Sequence, residues 1–260
     1  MKRAIEKLLK TVARLRSPKG CPWDKEQTHK TLKRYLIEES YETIDAIDKS
    51  DKHALMEELG DVLLQVVLHA QIAKENKDFT FDDVCNSINK KMISRHPHVF
   101  SNTKVKNTEE VLKNWEILKN NEKPYRKELL DGVPSSLPAL LKALKVSKKV
   151  ARLGFEWEKD SQLWDKFYDE IKEFKQAVKS KKKTKQSEEF GDLLFTVVNL
   201  ARWYKLDPEE NLNNGIKKFI KRFNKVKEMA NKSNREVDKL SPNELNKLWE
   251  QVKRREKGKE

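Results

Sequence analysis

Apolar residues recur every three or four positions along most of this chain, which is the spacing of one face of an α-helix. Near the start, Ile5, Leu8 and Leu9 begin such a stripe, and Ser17-Pro18-Lys19-Gly20 ends it. Signals for β-strands are rare, and Leu, Lys, Glu and Ala are frequent. The pattern therefore predicts an all-α protein.

The helical stripes are separated by short breaks that contain proline, glycine or polar residues. In the first half the pattern predicts further helices over residues 28–48, 55–70, 81–94 and 109–119. In the second half it predicts helices over residues 140–152, 163–180, 187–205, 210–231 and 242–254. The break at Lys49 to Lys52 is short, so the helices on either side of it fold back as an antiparallel hairpin, and residues 163–205 predict a second one.

One longer segment, residues 122–138, has the composition of a linker. It contains Pro124, Gly132, Pro134 and Pro138, which disfavour continuous helix. It divides the chain into an N-terminal domain, residues 1–121, and a C-terminal domain, residues 139–260.

The two halves repeat each other. Four carboxylates recur at a constant offset of 131 residues: Glu39, Glu42, Glu58 and Asp61 become Glu170, Glu173, Glu189 and Asp192. The sequence around them is similar too, since Glu58-Leu59-Gly60-Asp61 corresponds to Glu189-Phe190-Gly191-Asp192. The repeat predicts one duplicated helical unit.

Carboxylates spaced three apart on each helix of a hairpin share a face and converge across it. Glu38 and Glu42 add a like-charge pair at the i,i+4 spacing, whose repulsion a divalent cation would offset. Oxygen ligands alone select Mg²⁺, Mn²⁺ or Ca²⁺. Gly60 and Gly191 stand beside these residues, and a helical glycine there indicates close approach of another helix or of a ligand.

The pair Glu38-Glu39-Ser40-Tyr41-Glu42 and Glu58-Leu59-Gly60-Asp61 resembles the EExxE and ExxD signature of the MazG-like nucleoside triphosphate pyrophosphohydrolases. Two more stretches, Cys21 to Thr28 and Arg95 to Phe100, are typical of two-domain members of that family. The resemblance extends from about Ile5 to Glu256. It implies an all-α fold built as a tandem repeat of two MazG-like helical-hairpin domains of the four-helix-bundle type.

The resemblance also implies an activity: hydrolysis of ribo- and deoxyribonucleoside triphosphates, with a broad base range, to the monophosphate and pyrophosphate by a homodimer. It implies Mg²⁺, with Mn²⁺ as an alternative, bound through the four carboxylates of each half. Catalytic roles in the second half are implied for Glu170, Glu173, Glu189 and Asp192. Nucleotide contacts are implied for Lys166, Asp169, Lys185, Glu188, Lys218, Lys221, Arg222, Trp249 and Lys253.

The second half departs from the family pattern in two places. It begins with Asp169-Glu170 rather than Glu-Glu, and the shorter Asp169 puts any outer role of that first carboxylate in question. The loop from Ser180 to Lys185 is unusually rich in lysine.

The residues favour a metal-held water over a covalent route. A carboxylate-bound Mg²⁺ can polarise a phosphoryl oxygen and hold the attacking water, and a neighbouring carboxylate can accept the proton. The Walker pattern GxxxxGK[ST] is absent, and no Ser or Cys lies near a His in a recognisable nucleophile arrangement. The single ExxH at Glu26 to His29 lacks the second copy that a di-iron bundle needs.

The formal net charge is +14, from 56 Lys and Arg against 42 Asp and Glu. A basic balance favours anionic partners such as nucleotides, nucleic acid or a membrane surface. The most apolar run, Val62 to Leu68, is too short to span a bilayer, and Met1 to Arg16 carries no signal-peptide pattern. We therefore expect a cytoplasmic protein without membrane contact.

Two alternatives from other classes are open at this point. One is a basic helical nucleic-acid-binding protein without catalysis, and the other is a sensor that binds metal and nucleotide with negligible turnover. No nucleic-acid recognition motif is visible, so nucleic acid is not an expected partner. Incubation with each nucleoside triphosphate and Mg²⁺ separates all three.

The residues that follow each carboxylate set favour the C-terminal half as the main hydrolase. Lys218, Lys221 and Arg222 lie on a helix that continues, whereas Pro97 ends the corresponding helix just after Arg95. The lysine-rich loop adds positive charge to the second site only. We therefore expect the N-terminal half to bind metal and to contribute to the dimer.

Overall fold

A computed structural model describes residues 2–122, 130–233 and 235–257, and every regular element in these ranges is a helix. The predicted all-α class is thus confirmed. The chain forms two compact units, Met1–Pro124 and Tyr125–Glu260. Residues 123–129 of the predicted linker lie outside the described residues. None of the described helices combines the length and the apolar composition that crossing a bilayer requires.

The first unit begins with a long helix and a single short turn and continues with an antiparallel hairpin. Its helices are α1 (Lys2–Leu15), α2 (Pro22–Glu26), α3 (Lys33–Asp48), α4 (Lys52–Glu75), α5 (Phe81–Arg95), α6 (Pro97–Phe100) and α7 (Thr108–Asn121). The hairpin is α3 and α4, and Asp51 ends its turn by accepting hydrogen bonds from the backbone N–H groups of His53 and Ala54. Asp51 is therefore the N-cap of α4.

The second unit repeats the hairpin as α9 and α10. Its helices are α8 (Ala139–Ala151), α9 (Asp160–Ser180), α10 (Lys183–Trp203), α11 (Pro208–Lys232) and α12 (Pro242–Lys257), with a 3₁₀ turn at Val237–Lys239. The turn between α9 and α10 places Lys181 in the left-handed region, at φ 58°. The predicted contrast between the halves is confirmed, because α5 ends at Arg95 whereas α11 continues to Lys232.

The start of α3 differs from the prediction, which began that helix at Thr28. The hydroxyl of Thr31 accepts from the backbone N–H of Thr28 at 2.9 Å, and the hydroxyl of Thr28 accepts from the N–H of Thr31 at 3.2 Å. These side-chain bonds hold a turn in place of the first helical turn. The short α2 was also not predicted, because five residues that begin with Pro22 are too few to show a period.

Each unit packs one apolar face of its hairpin against further helices. In the first unit α1 packs on α4 around a core of Val12, Leu32, Val67, Leu68 and Ile72. In the second unit α8 packs on α10 and α11 packs on α12, and the buried side chains include Leu144, Leu163, Ala177, Val198, Val226 and Val252. Because each hairpin helix buries only part of its circumference, an adjacent stripe carries the carboxylates.

An arginine clamps the far end of each hairpin. In the first unit, Arg16 follows α1 and donates to Glu75, the last residue of α4, with Nη2 to Oε2 at 2.8 Å. In the second unit, Arg202 lies near the end of α10 and donates to Glu156, in the segment before α9, with Nη2 to Oε1 at 2.7 Å. Both arginines are almost fully buried, so both pairs fix the entry segment onto the hairpin.

Candidate metal and nucleotide site

The first hairpin brings its carboxylates together at the surface between α3 and α4. Glu39, Glu58 and Asp61 each place one oxygen within 4.8 Å of the others. Glu42 lies close enough to them that its charge raises the pKa of Glu58. All four residues predicted from the repeat are therefore neighbours in this unit.

Crowding of like charges perturbs this cluster. Partial burial raises the pKa of Glu39, and the charges of Asp61, Glu42, Glu38 and Glu58 raise it further. Partial burial likewise raises the pKa of Glu58, followed by the charges of Glu42 and Asp61. No described lysine or arginine forms a salt bridge with these carboxylates, so a bound cation is the partner that would relieve the repulsion.

The second hairpin builds a similar group with one buried member. Glu170 and Glu173 on α9 and Glu189 on α10 place one oxygen each within 4.8 Å of one another. Glu170 is 4% exposed, and its Oε1 accepts from Lys166 Nζ at 2.7 Å. That hydrogen bond raises the pKa of Lys166. Asp192 is exposed and lies outside the three-oxygen group.

The second oxygen of Glu170 is the clearest sign that this group suits a cation. Glu170 Oε2 is buried and has no hydrogen-bond partner among the described residues. A buried charged oxygen without a partner costs more free energy than a buried neutral polar group without one. A donor set made only of carboxylate oxygens fits a hard divalent cation such as Mg²⁺, and Glu170, Glu173 and Glu189 are the residues that would hold it.

Four of the predicted nucleotide residues lie on the second hairpin itself. Lys166 contacts Glu170 directly, whereas Asp169, Lys185 and Glu188 are exposed on the hairpin helices. Lys185 lies about one helical turn before Glu189 on α10, on the side of the hairpin turn.

The other five predicted nucleotide residues form a group on α11 and α12. Lys218 and Lys221 are exposed, and Arg222 donates from Nε to Glu256 Oε2 at 2.7 Å. The ring of Trp249 packs against Phe219 with centroids 5.0 Å apart, and Lys253 donates to Glu250 at 2.9 Å. No hydrogen bond or salt bridge described within the unit joins this group to the carboxylates of the hairpin.

Two contacts within the second unit were not predicted. Glu256 accepts from both Lys225 and Arg222, which lowers the pKa of Glu256 to about 2. No local spacing links these residues, because they meet only through the packing of α11 on α12. The hydrogen bond from Lys166 to Glu170 did have a signal in the sequence, since the two lie at the i,i+4 spacing of helical ion pairs.

The glycines beside the carboxylates correct one expectation. A Cβ added at Gly60 or at Gly191 would meet no atom within 4 Å. No other helix of the described chain comes close to either glycine, so that part of the expectation is wrong. The space beside them is open to a ligand or to another chain.

A histidine pair near the first hairpin was also missed. His29, before α3, and His69, on α4, stack with parallel rings and bring their Nδ1 atoms within 2.7 Å. Burial and the neighbouring His29 lower the pKa of His69. The pair holds the entry segment against α4, on the same helix as Asp61 but about two turns away.

The fold and the site define an all-α protein with a carboxylate group on each of two helical hairpins. Residues 27–100 and 159–227 match the MazG nucleotide pyrophosphohydrolase domain. The chain is 43% identical over 250 residues to a Thermotoga maritima protein named nucleoside triphosphate pyrophosphohydrolase/pyrophosphatase MazG, covering 96% of this chain and 95% of that one. It is 42% identical over 259 residues to the nucleoside triphosphate pyrophosphohydrolase of Escherichia coli, covering 97% and 98%.

A third relative is longer. The uncharacterized protein YabN of Bacillus subtilis is 48% identical over 248 residues, which cover 95% of this chain and 51% of that protein. The family match spans more than half of this chain and falls once in each unit. The chain belongs to the MazG family.

Proposed function

We propose that this protein hydrolyses nucleoside triphosphates, ribo- and deoxyribo- alike, to the monophosphate and pyrophosphate with a divalent cation, Mg²⁺ or Mn²⁺. The observation that carries the proposal is the carboxylate group of the second hairpin, with its buried, unpartnered Glu170 oxygen beside Lys166. The names of the full-length relatives support the reaction.

Five residues of the second hairpin carry out three tasks in this proposal. Glu170, Glu173 and Glu189 would hold the cation, which when bound polarises a phosphoryl oxygen and acidifies water. Lys166 keeps one oxygen of Glu170 oriented and leaves the other for the cation. We assign the exposed carboxylate of Asp192 as acceptor of the proton that the attacking water loses. The water oxygen bonds to phosphorus as the bridging P–O bond breaks, and pyrophosphate leaves.

The second unit is the main hydrolase in this proposal, because it carries cations that the first unit lacks. Shifted by 131 residues, Lys166 corresponds to Tyr35, and Lys185 corresponds to Ala54. A triphosphate bound at the first cluster would meet four carboxylates without either flanking lysine. The first cluster therefore suits a metal ion better than a nucleotide phosphate chain.

The uncovered apolar faces support a homodimer. Exposed apolar side chains follow one face of several helices, including Ile37, Ile44 and Ile47 on α3, Met56, Leu59 and Leu63 on α4, and Leu212, Ile216, Phe219 and Ile220 on α11. A soluble monomer rarely exposes contiguous apolar surface on this scale. The open space beside Gly60 adjoins one of these faces, so a helix of a second copy could approach there.

The test is an assay of the full chain with each nucleoside triphosphate, with and without Mg²⁺. We expect monophosphate and pyrophosphate, and no turnover in excess EDTA. Production of diphosphate and orthophosphate would refute the assigned reaction. Metal and nucleotide binding without turnover would identify a sensor, and salt-dependent duplex binding without turnover would identify a nucleic-acid-binding protein.

A pair of matched variants tests the assignment to the second unit. Glu189→Gln and Glu58→Gln remove one negative ligand from equivalent positions of the two clusters. With ATP and dGTP, Glu189→Gln is expected to abolish nearly all turnover, whereas Glu58→Gln retains most of it. The reverse ranking would show that the first unit is the hydrolase.

A further inference from the structure

The turns of the two hairpins differ in charge although their carboxylates match. Residues 44–54 of the first hairpin and 175–185 of the second correspond by the same shift of 131. The first segment contains three aspartates and two lysines, whereas the second contains six lysines and no acidic residue. Two positions reverse sign outright: Asp48 becomes Lys179, and Asp51 becomes Lys182.

The structure leaves the lysines of the second turn exposed. In the first turn, Asp51 caps α4 and Lys49 pairs with Asp45 at 3.8 Å. In the second turn, the five lysines at 179, 181, 182, 183 and 185 are all exposed, and the described residues form no salt bridge with them. We call these five residues the lysine turn. Because their charges repel one another and lack internal partners, an external anion would stabilise them.

The lysine turn lies close to the carboxylate group of the same hairpin. Glu173 precedes the end of α9 by seven residues, and Glu189 follows the start of α10 by six. At a rise of about 1.5 Å per residue, the turn is roughly 10 Å along the hairpin from the metal-binding oxygens. Lys166 lies on the opposite side of Glu170, so lysines flank the carboxylate group along the hairpin at both ends.

We propose that the lysine turn binds the outer phosphates of a chain longer than a triphosphate, so that the second hairpin favours nucleoside tetraphosphates and linear polyphosphate over shorter chains. The inference rests on the proposed function of that hairpin. When a phosphate chain anchored at a cation among Glu170, Glu173 and Glu189 extends along the hairpin toward the turn, each added phosphate brings negative charge closer to the lysines. Lysine ammonium groups attract such charge without requiring a fixed geometry.

A phosphate chain fits this surface better than a nucleic acid does. The lysine turn is confined to one end of a hairpin, and a carboxylate group stands about two turns away along the same hairpin. A polynucleotide that followed the hairpin would pass directly from lysines to carboxylates. A metal-anchored phosphate chain instead uses both features at once.

The experiment replaces the two sign-reversed lysines by the residues of the first turn, as Lys179→Asp with Lys182→Asp in the full chain. The ratio of kcat/KM for adenosine 5′-tetraphosphate to that for ATP is expected to fall about tenfold at low salt, and the difference should shrink at high salt. The control is Lys30→Asp with Lys104→Asp, which makes the same charge change at exposed sites of the first unit. It should leave the ratio unchanged.

Four further measurements make the outcome decisive. Circular dichroism checks folding, and Lys181→Gln with Lys183→Gln provides a milder second variant that should lower the ratio in the same direction. An unchanged ratio in both variants would overturn the proposal, as would loss of duplex DNA binding with no change in the ratio. Calorimetric titration with linear inorganic tetraphosphate needs no turnover, so weaker binding by the double Asp variant would support the lysine turn even if ATP were not a substrate.

Discussion

Replacement of Glu39 by Gln should stabilise the metal-free protein and weaken its response to Mg²⁺. The oxygens of Glu39, Glu58 and Asp61 lie within 4.8 Å, and two unit charges at that distance repel by about 0.9 kcal/mol in water. Glu39 meets two such neighbours, but salt and side-chain rearrangement screen part of the repulsion, so the net gain is about 1 kcal/mol. For a chain of this size, that raises Tm by about 2–4 °C.

Saturating Mg²⁺ should reverse the sign of this difference. A ligand at one hundred times its Kd stabilises the folded state by about 2.7 kcal/mol, and the wild-type protein gains this at the first cluster. Glu39→Gln loses a charged ligand and with it most of that gain. Calorimetric unfolding in EDTA measures the relief of repulsion, and unfolding in Mg²⁺ measures the lost stabilisation by the cation. The matched control is Glu6→Gln, an exposed change on α1, which should have no effect in either buffer.

The pH dependence supplies a check on the cause. The pKa of Glu39 is raised in the folded state, so the folded protein holds its proton more tightly and loses stability as pH rises above the ordinary value of 4.5. Below that pH the variant and the wild type should converge. A Glu39→Gln protein that is less stable than wild type in EDTA at neutral pH would refute the account of repulsion.

Three other predictions address the second unit. Lys166→Met should lower kcat/KM for ATP about 100-fold by freeing Glu170 from its oriented position, and Lys166→Arg should recover part of it; equal activity in all three proteins would exclude the positioning role. Glu256→Gln should destabilise the second unit at neutral pH, with the difference fading as pH falls from 4.5 toward about 2, because the folded pKa of Glu256 is depressed; urea titrations across that range measure it. Ile216→Glu should convert a dimer into a monomer by light scattering, and a wild-type monomer at micromolar concentration would contradict the dimer.

The fold was largely predictable because the apolar residues of helical hairpins recur with the period of the α-helix. The ends of α5 and α11 followed from Pro97 and from its absence in the second half. The start of α3 was not predictable from periodicity, because the hydroxyls of Thr28 and Thr31 replace its first turn with their own hydrogen bonds. Local side-chain competition of this kind leaves the apolar pattern unchanged.

The carboxylate groups were predictable for a different reason. Spacing of three residues fixes a shared helix face, and the short hairpin turn fixes which faces meet, so the repeat alone indicated both clusters. The salt bridge of Arg222 with Glu256 was beyond the sequence, since 34 residues separate the partners and only the packing of α12 on α11 unites them. The open space at Gly60 likewise depends on which helices do not come near.

The two arginine clamps place their charges the opposite way round, so the entry segment of one repeat does not match the hairpin of the other. In the first unit the entry segment supplies the arginine, Arg16, and the hairpin supplies Glu75, whereas in the second unit the hairpin supplies Arg202 and the entry segment supplies Glu156. If the entry segment of one repeat docked on the hairpin of the other, Arg16 would face Arg202 and Glu156 would face Glu75. Both arginines are almost fully buried, so a pair of them would be strongly unfavourable, whereas the partly exposed pair of glutamates would repel more weakly. We therefore expect the two ion pairs to disfavour exchange of entry segments between the two similar repeats while the chain folds.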